Sequence, residues 1–434
     1  MNYDIVVLGA GISGISAAYH LKEGGVNSVV FEKNPSWGGM LDNFEINGFR
    51  FDRFVHLSFA IDEHVKEIFA KSTDFYTHTP DPFNYYRGYW VKHPAQNNLY
   101  PLPSGEKKMI LEDFKKRKLK DVSEIKNYEE WLRVQFGDYF AENFPIPYTR
   151  KYWTVEPKNL ETKWVGKRIY LPSIEEIEEG CETEKTPVTY YAKEMRYPKK
   201  GGYKSFLTSM VKGIDIRQNK EVIKIDIEKH KIYFSDGTQC KYKKLVSSLP
   251  LPELCKIIEN TPKEVVEASE KLMCTSGYLV SLGFNKPDIP KHLWFYIYDE
   301  DILSARVYSP SLKSPENAPE GCSSLQAEIY FSRDKKINLS EDEILQHTIE
   351  KLIKMNVFKE DDLVVKNIKK EDYANVVFKH NIYENRKIVL EFLEGCNIKS
   401  IGRFGEWKYL WSDQSLISGQ MAAEKILREL PDKL

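Results

Sequence analysis

The N-terminal stretch constrains this chain more than any other. Tyr3-Asp4-Ile5-Val6-Val7-Leu8 is an apolar, β-branched run that stops at a glycine, the pattern of a short buried strand. Gly9-Ala10-Gly11-Ile12-Ser13-Gly14 follows, and Ile15 to Leu21 continues with helical spacing. Ser28-Val29-Val30-Phe31 predicts a second strand that ends at Glu32. Gly9 permits a tight turn, Gly11 lets backbone N–H groups approach a pyrophosphate at the helix N-terminus, and Gly14 lets helix and strand pack closely. Glu32, eighteen residues beyond Gly14, puts a carboxylate where ribose hydroxyls can donate to it. Glycine-rich turns are common, so the three glycines alone say little. The strand before them, the helix after them and the acid at this distance together predict a dinucleotide-binding βαβ unit.

The residues after the acid choose between dinucleotides. Lys33-Asn34-Pro35-Ser36-Trp37-Gly38-Gly39-Met40 carries a second glycine pair. It resembles the extended fingerprint of FAD-dependent amine oxidases and their relatives, in which this pair passes close to the ribityl-pyrophosphate of the flavin. The expected cofactor is FAD.

At 434 residues the chain is too long for one simple core, and two or three domains are expected. A hydrophobic fraction of 41% beside 29% charged residues fits a soluble globular protein. With 63 basic and 64 acidic residues nothing in the balance favours nucleic acid as a partner. Lys115-Lys116-Arg117-Lys118 reads as a solvated helix face. No stretch has the length of a membrane span, and the N-terminus enters a strand at once rather than a signal peptide, so a cytoplasmic protein is expected. Cys181, Cys240, Cys255, Cys274, Cys322 and Cys396 have no metal-like spacing, and reduced thiols with no metal site are the economical reading. Oligomeric state is not legible.

Taken in order, Asn43 to Asp52 alternates around Asn47-Gly48 and predicts a hairpin. Arg53-Phe54-Val55-His56-Leu57-Ser58-Phe59 then sets a histidine in a loop, and Asp62 caps a helix through Ala70. Residues 75 to 105 read as short strands and loops, and Leu111 to Phe144 as helical, with Asn127-Tyr128-Glu129-Glu130 as a capping box. Gly201-Gly202-Tyr203 leads into a helix. Glu221 to Ile225, the turn Ser235-Asp236-Gly237-Thr238 and Lys244 to Pro250 return the chain to the nucleotide fold. Residues 275 to 395 form a β-rich region with strands at Gly277 to Phe284, Leu293 to Tyr298, Ser324 to Phe331 and Val376-Val377, and a helix over Glu341 to Leu352. Ile398 to Ile401 is a strand leading into Gly402-Arg403, and Asp413 to Ala423 opens the last helix.

With these pieces in place the chain resembles the UDP-galactopyranose mutases, nearer the eukaryotic type. The specific motifs are Pro147-Tyr148 through Trp153, Pro157, Trp164-Val165-Gly166-Lys167-Arg168, Arg306-Val307-Tyr308-Ser309-Pro310 and Gly402-Arg403-Phe404-Gly405-Glu406-Trp407-Lys408-Tyr409. The resemblance implies an α/β fold: a discontinuous Rossmann-like FAD-binding domain over 1–80, 196–272 and 396–434, a helical substrate subdomain over 81–195, and an antiparallel β-sheet substrate domain over 273–395. It implies that Arg168 and Arg306 hold the nucleotide diphosphate, a task suited to planar guanidinium forks. His56 falls on the flavin-facing loop and is grouped with these two arginines as catalytic. Tyr383, Tyr409, Trp153 and Trp164 are expected at the substrate. Gly9, Gly11, Ser13, Gly14, Glu32, Lys33, Gly38, Gly39, Met40, Val222, Gly402, Arg403, Asp413, Gln414 and Ser415 are expected at the cofactor.

The chain departs from the family at three places. Phe54-Val55 stands where Gly-Gly usually precedes the loop histidine, and valine restricts the bend that loop needs. Ser412-Asp413-Gln414-Ser415 stands where the family has Gly-Asn-Gln-Asp, which puts a carboxylate at a neutral position. Around Tyr383, expected in the final strand of the second sheet, the family's proline is missing.

The resemblance implies an enzyme, a mutase that interconverts pyranose and furanose forms of a nucleotide-diphosphate sugar by covalent catalysis through N5 of reduced FAD. NAD(P)H is a possible reductant and cell-surface polysaccharide synthesis the destination. An FAD-dependent oxidoreductase of the amine oxidase or protoporphyrinogen oxidase class is the alternative. A non-catalytic flavin-binding scaffold is the third reading. Base and sugar are not legible.

Overall fold

The computed structural model describes residues 2–117, 120–166, 168–187, 189–190 and 192–430. Lys118 and Lys167, named above, lie outside the described residues. Its organising element is a sheet with strands in the order Val222–Asp226, Lys231–Phe234, Gln239–Ser247, Asn2–Leu8, Val29–Phe31 and Asp215–Arg217, with Ile398–Ser400 also paired to Gln239–Ser247. Asn2–Leu8 runs parallel to both of its neighbours, and Val6, Val7 and Leu8 are fully buried. Burial on both faces is why this strand is a continuous apolar run rather than an alternation. The edge strand Asp215–Arg217 was not expected. Two of its three residues are charged, so only its pairing with Val29–Phe31 reveals it.

The helix Ile12–Glu23 follows the glycine turn and packs along the last long helix, Ser412–Glu429. Gly419 makes that approach possible, since a Cβ there would meet the Ser13 carbonyl oxygen and the Ala17 amide. Gly201-Gly202 leads into a 3-10 turn, Tyr203–Leu207, and only four residues of α-helix, Thr208–Val211, instead of one continuous helix.

A second, antiparallel-rich sheet has the order Leu363–Glu371, Ser276–Phe284, Ser323–Phe331, Arg306–Tyr308, Trp294–Ile297, Phe83–Tyr86 and Tyr89–Lys92. Phe83–Tyr86 joins it in parallel with Trp294–Ile297. Leu363–Glu371 escaped the sequence reading because its lysines and glutamate hide the alternation. The helices Ser104–Lys116, Tyr128–Phe136, Asp138–Asn143 and Pro145–Tyr152 pack together on Trp131, Phe136, Phe140 and Phe144, and the last of them lies against the strand Ser323–Phe331. Gly137 joins two of them at φ +81°, where an added Cβ would strike Asp113.

Three local expectations need correction. Asn127 caps its helix by accepting from the Glu130 amide at 2.9 Å, but Glu130 bonds the Lys126 amide at 2.9 Å, so the reciprocal half of the box is displaced by one residue. Tyr383 lies in the first turn of a helix, Ile382–Gly395, not in a strand. Without the proline, nothing stops helix formation from Asn381 onward. In the basic run, Lys116 is solvated while Arg117 folds back over Phe114, 3.5 Å from the ring centroid. None of the six cysteines is in a disulfide, and no helix among the described residues is long and apolar enough to cross a membrane.

Candidate active site

A cleft of about 960 Å³ runs from the carboxyl ends of the parallel strands to the second sheet. Its floor at one end is the glycine turn. Gly9 sits at φ +90°, where a Cβ would meet the Ser248 hydroxyl, and a Cβ on Gly14 would collide with the Gly9 carbonyl. Gly11 bridges to Gly38, while a Cβ on Gly39 would lie 3.1 Å from the Gly11 Cα. The helix beginning at Ile12 has no side-chain cap, so its first-turn N–H groups face the cleft without an intrahelical partner. These glycines and the uncapped helix fit a dinucleotide pyrophosphate, which needs both close backbone approach and free donors. Glu32 accepts from the Ala10 amide at 2.8 Å and from Asn34 at 2.9 and 2.7 Å. Those bonds fix the carboxylate and leave it acceptor capacity for a ribose.

The middle of the cleft is walled by the loop after Asp52. That carboxylate is wholly buried and accepts from Lys313 Nζ and Tyr197 Oη, each at 2.7 Å, and from the Tyr203 amide at 3.1 Å. Lys313 is equally buried, and its ammonium lies 4.4 Å and 4.6 Å from the Tyr197 and Tyr308 ring centroids. A buried ion pair needs such extra partners to offset desolvation. The bend comes at Phe54, with φ +63°, and Val55 is spared the left-handed region. A bulky residue there is unfavourable alone. The Phe54 ring is held parallel to Tyr330 at 6.0 Å and covers Gly277, where a Cβ would come within 2.7 Å of it. His56 Nδ1 donates to the Phe54 carbonyl at 3.2 Å, which leaves Nε2 as the acceptor. Burial, opposed by Asp52 and assisted by Lys313 and Arg403, lowers its pKa to about 4, so it is neutral at pH 7.

At the far end, Arg306 faces Glu328 across adjacent strands. Its Nε and Nη2 donate to Glu328 Oε2 at 2.7 and 2.6 Å. Tyr152, Tyr296 and Tyr330 line the cleft around it. Arg168 takes a different environment. Its guanidinium donates to the Trp164 carbonyl at 2.7 Å and the Tyr409 carbonyl at 3.3 Å, and lies 4.6 Å and 5.5 Å from the Tyr409 and Trp411 ring centroids. Its Nε is buried without a hydrogen-bond partner. Arg403 donates to the Leu410 carbonyl at 2.8 Å and has its guanidinium carbon 5.3 Å from the Tyr409 ring centroid.

Residues 12–388 match the family described as flavin containing amine oxidoreductase. The chain belongs to that family. Among solved structures, this chain is similar to a reduced UDP-galactopyranose mutase, with a TM-score of 0.92 at 25% identity, covering 99% of this chain and 96% of that one. A protein described as a putative protoporphyrinogen oxidase from Exiguobacterium sp. 255-15 shares the fold with a TM-score of 0.76 at 15% identity, over 99% of both chains. A carotenoid 3,4-desaturase of Haloarcula japonica is 45% identical over 49 residues, 11% of this chain and 10% of that protein. A thiamine thiazole synthase of Saccharolobus islandicus is 53% identical over 36 residues, 8% of this chain and 14% of that protein. The chain thus matches only about a tenth of the length of these curated relatives.

Of the residues expected at the site, the cleft brings together Gly9, Gly11, Ser13, Glu32, Lys33, Gly38, Gly39, Met40, His56, Val222, Arg306, Gly402, Arg403, Tyr409 and Ser415. Others stand behind the lining. Gly14 serves only the strand–helix contact. Gln414 Oε1 accepts from the Trp411 amide at 3.0 Å and so caps the last helix. Asp413 is buried beside Asp62 rather than on the cleft wall, and desolvation raises its pKa. Trp153 and Trp164 are buried; Trp164 stacks on Phe378, Trp153 meets both edge-on, and the two tryptophans pack against Tyr409 as its support. Tyr383 is covered by Lys163 and Arg386, each 5.3 Å from its ring centroid. Arg168 reaches the site through Tyr409 and Trp411. The sequence reading missed Lys313, at the end of the short helix Pro310–Lys313, and Glu328 and Tyr330, on the strand Ser323–Phe331; no motif marks these three, and only the folded chain brings them here.

Proposed function

We propose that the protein is an FAD-dependent mutase that interconverts the pyranose and furanose forms of a nucleotide-diphosphate sugar. The supporting observation is Arg306 at the far end of a cleft whose near end is built for a dinucleotide, with Arg168 packed on Tyr409 and Trp411 of the cleft wall, within a fold so close to that of a reduced UDP-galactopyranose mutase. Gly11, Gly39 and the first turn of the Ile12–Glu23 helix would hold the pyrophosphate, Glu32 the ribose, and Val222 the adenosine end. Bound there and reduced by NAD(P)H or another donor, FAD would supply a nucleophile at N5 in a reaction without net redox change.

The rest is positioning. The anomeric C–O bond breaks and later re-forms to the same diphosphate, so the departing anion must be kept in place. Arg168, with no acidic partner among the described residues and one N–H group unpartnered, offers the fuller positive charge. Arg306, shared with Glu328, offers a fixed direction. Neutral His56 adds no charge beside the ring, and its unbonded Nε2 is an acceptor. Tyr152, Tyr296, Tyr330, Tyr409 and Trp411 exclude water from the sugar. The product would feed cell-surface polysaccharide synthesis, in a reducing compartment that suits six unpaired cysteines.

The test is to reduce the FAD-loaded protein anaerobically and incubate it with a panel of nucleotide sugars, resolving ring isomers by chromatography. A furanose product from one of them, absent with oxidised protein, supports the reading. No isomer from any sugar, together with bleaching of the oxidised flavin by an amine or porphyrinogen, transfers the protein to the oxidase class.

A further inference from the structure

We propose that Glu328 is a positioning residue that ties the diphosphate-binding end of the cleft to the loop at its middle; this rests on the mutase reading above. Its carboxylate has two separate attachments. Oε2 accepts from Arg306 at 2.7 and 2.6 Å and from Tyr330 Oη at 2.5 Å. Oε1 accepts from the Val55 amide at 2.7 Å. The side chain is entirely buried, while Arg306 retains some exposure to the cleft. One rigid, desolvated group therefore holds both the arginine that meets substrate and the backbone beside Phe54 and His56.

The loop it holds is under strain. Phe54 is left-handed without being glycine, and its ring is trapped between Tyr330 and Gly277. Tyr330 donates to Glu328 and stacks on Phe54, so every support of that turn on this side passes through the same cluster. An anion arriving at Arg306 competes with Glu328 for its N–H groups. Any shift of that carboxylate is transmitted to the Val55 amide, because the carboxylate oxygens share one rigid plane. Occupancy of the diphosphate site is thereby reported at the wall that faces the bound flavin.

The experiment uses the FAD-loaded protein and UDP as probe, with binding measured by calorimetry and the flavin absorption spectrum recorded in the same titration. In the natural protein, UDP binding is expected to perturb the flavin spectrum. Glu328→Gln preserves an acceptor at Val55 but leaves Arg306 without its counter-charge. It should bind UDP at least as tightly, lose most of the spectral response, and turn over on the order of 10- to 100-fold more slowly. Glu328→Asp, which keeps the charge, should restore part of the response. UDP binding with no spectral change in the natural protein, or an undiminished change in Glu328→Gln, overturns the inference and leaves the mutase reading standing. Absence of binding by the natural protein of UDP and of every other nucleoside diphosphate, each titrated in the same way, overturns both. Should Glu328→Gln fail to fold, the natural protein's own titration and the Glu328→Asp variant still decide.

Discussion

Arg168 lies against Tyr409, its guanidinium carbon 4.6 Å from the ring centroid, and also donates to the backbone carbonyl of the same tyrosine at 3.3 Å. The aromatic face and the carbonyl orient the fork without neutralising it. Arg306 shows the opposite solution, with its charge matched by Glu328. Two arginines of the same expected role thus differ in how much charge each can offer a ligand.

Arg168→Ala should therefore weaken UDP binding by about 10- to 100-fold, the worth of a charge-assisted contact of ~1.5–3 kcal/mol. Arg168→Lys should recover little, since an ammonium cannot reproduce the planar stacking and the paired carbonyl contacts. Calorimetric titration of the FAD-loaded variants checks both. Unchanged affinity in the alanine variant removes Arg168 from the site.

Gly14→Ala should release the flavin. The added methyl has no space beside the Gly9 carbonyl oxygen, so the Ile12–Glu23 helix must move off the Asn2–Leu8 strand. Overpacking of this kind costs about 1–3 kcal/mol, and the same shift moves the first-turn donors. Flavin content per protein after purification and the thermal midpoint report the two effects. A variant that purifies fully loaded contradicts the assignment of this turn.

The protein should lose stability as the pH falls from 6.5 towards 4, partly through His56. Its folded pKa is lowered to about 4 while the unfolded histidine keeps about 6.5, so below 6.5 the unfolded chain binds the extra proton. The contribution is intact above 6.5 and is lost progressively down to about 4, reaching about 3 kcal/mol at most. His93, lowered to about 3 by burial, adds to the slope over the same window. His56→Asn should flatten urea-derived stability between pH 6.5 and 4 without abolishing the dependence. An identical slope in the variant excludes His56 as a source.

Lys313→Met should cost about 3–5 kcal/mol, because it strands a wholly buried Asp52 carboxylate without its counter-charge. The double variant Asp52→Asn, Lys313→Met should recover much of that loss, since Asn keeps an acceptor for the Tyr203 amide. Denaturant midpoints of the single and double variants measure the coupling. Additive losses contradict a buried pair.

Local signals in the sequence determined the dinucleotide end of this protein. A buried strand, a glycine turn, an uncapped helix and Glu32 lie within 32 consecutive residues, and each constraint is a contact between near neighbours. The strands at Ser276–Phe284 and Ser323–Phe331 were legible for a similar reason, since apolar density predicts burial. The tertiary structure alone decided what surrounds the arginines. Arg306 meets Glu328 through strand register, and Asp52 meets Lys313 across 261 residues of chain, so no spacing rule foretells either pair. Phe54 is the sharpest case. Residue preferences assign its left-handed turn to glycine, and only the rings and glycine packed around it, drawn from residues 277 and 330, make a phenylalanine tolerable there. Short-range geometry is written in order along the chain, whereas buried charge and strain are compensated by partners that only folding brings near.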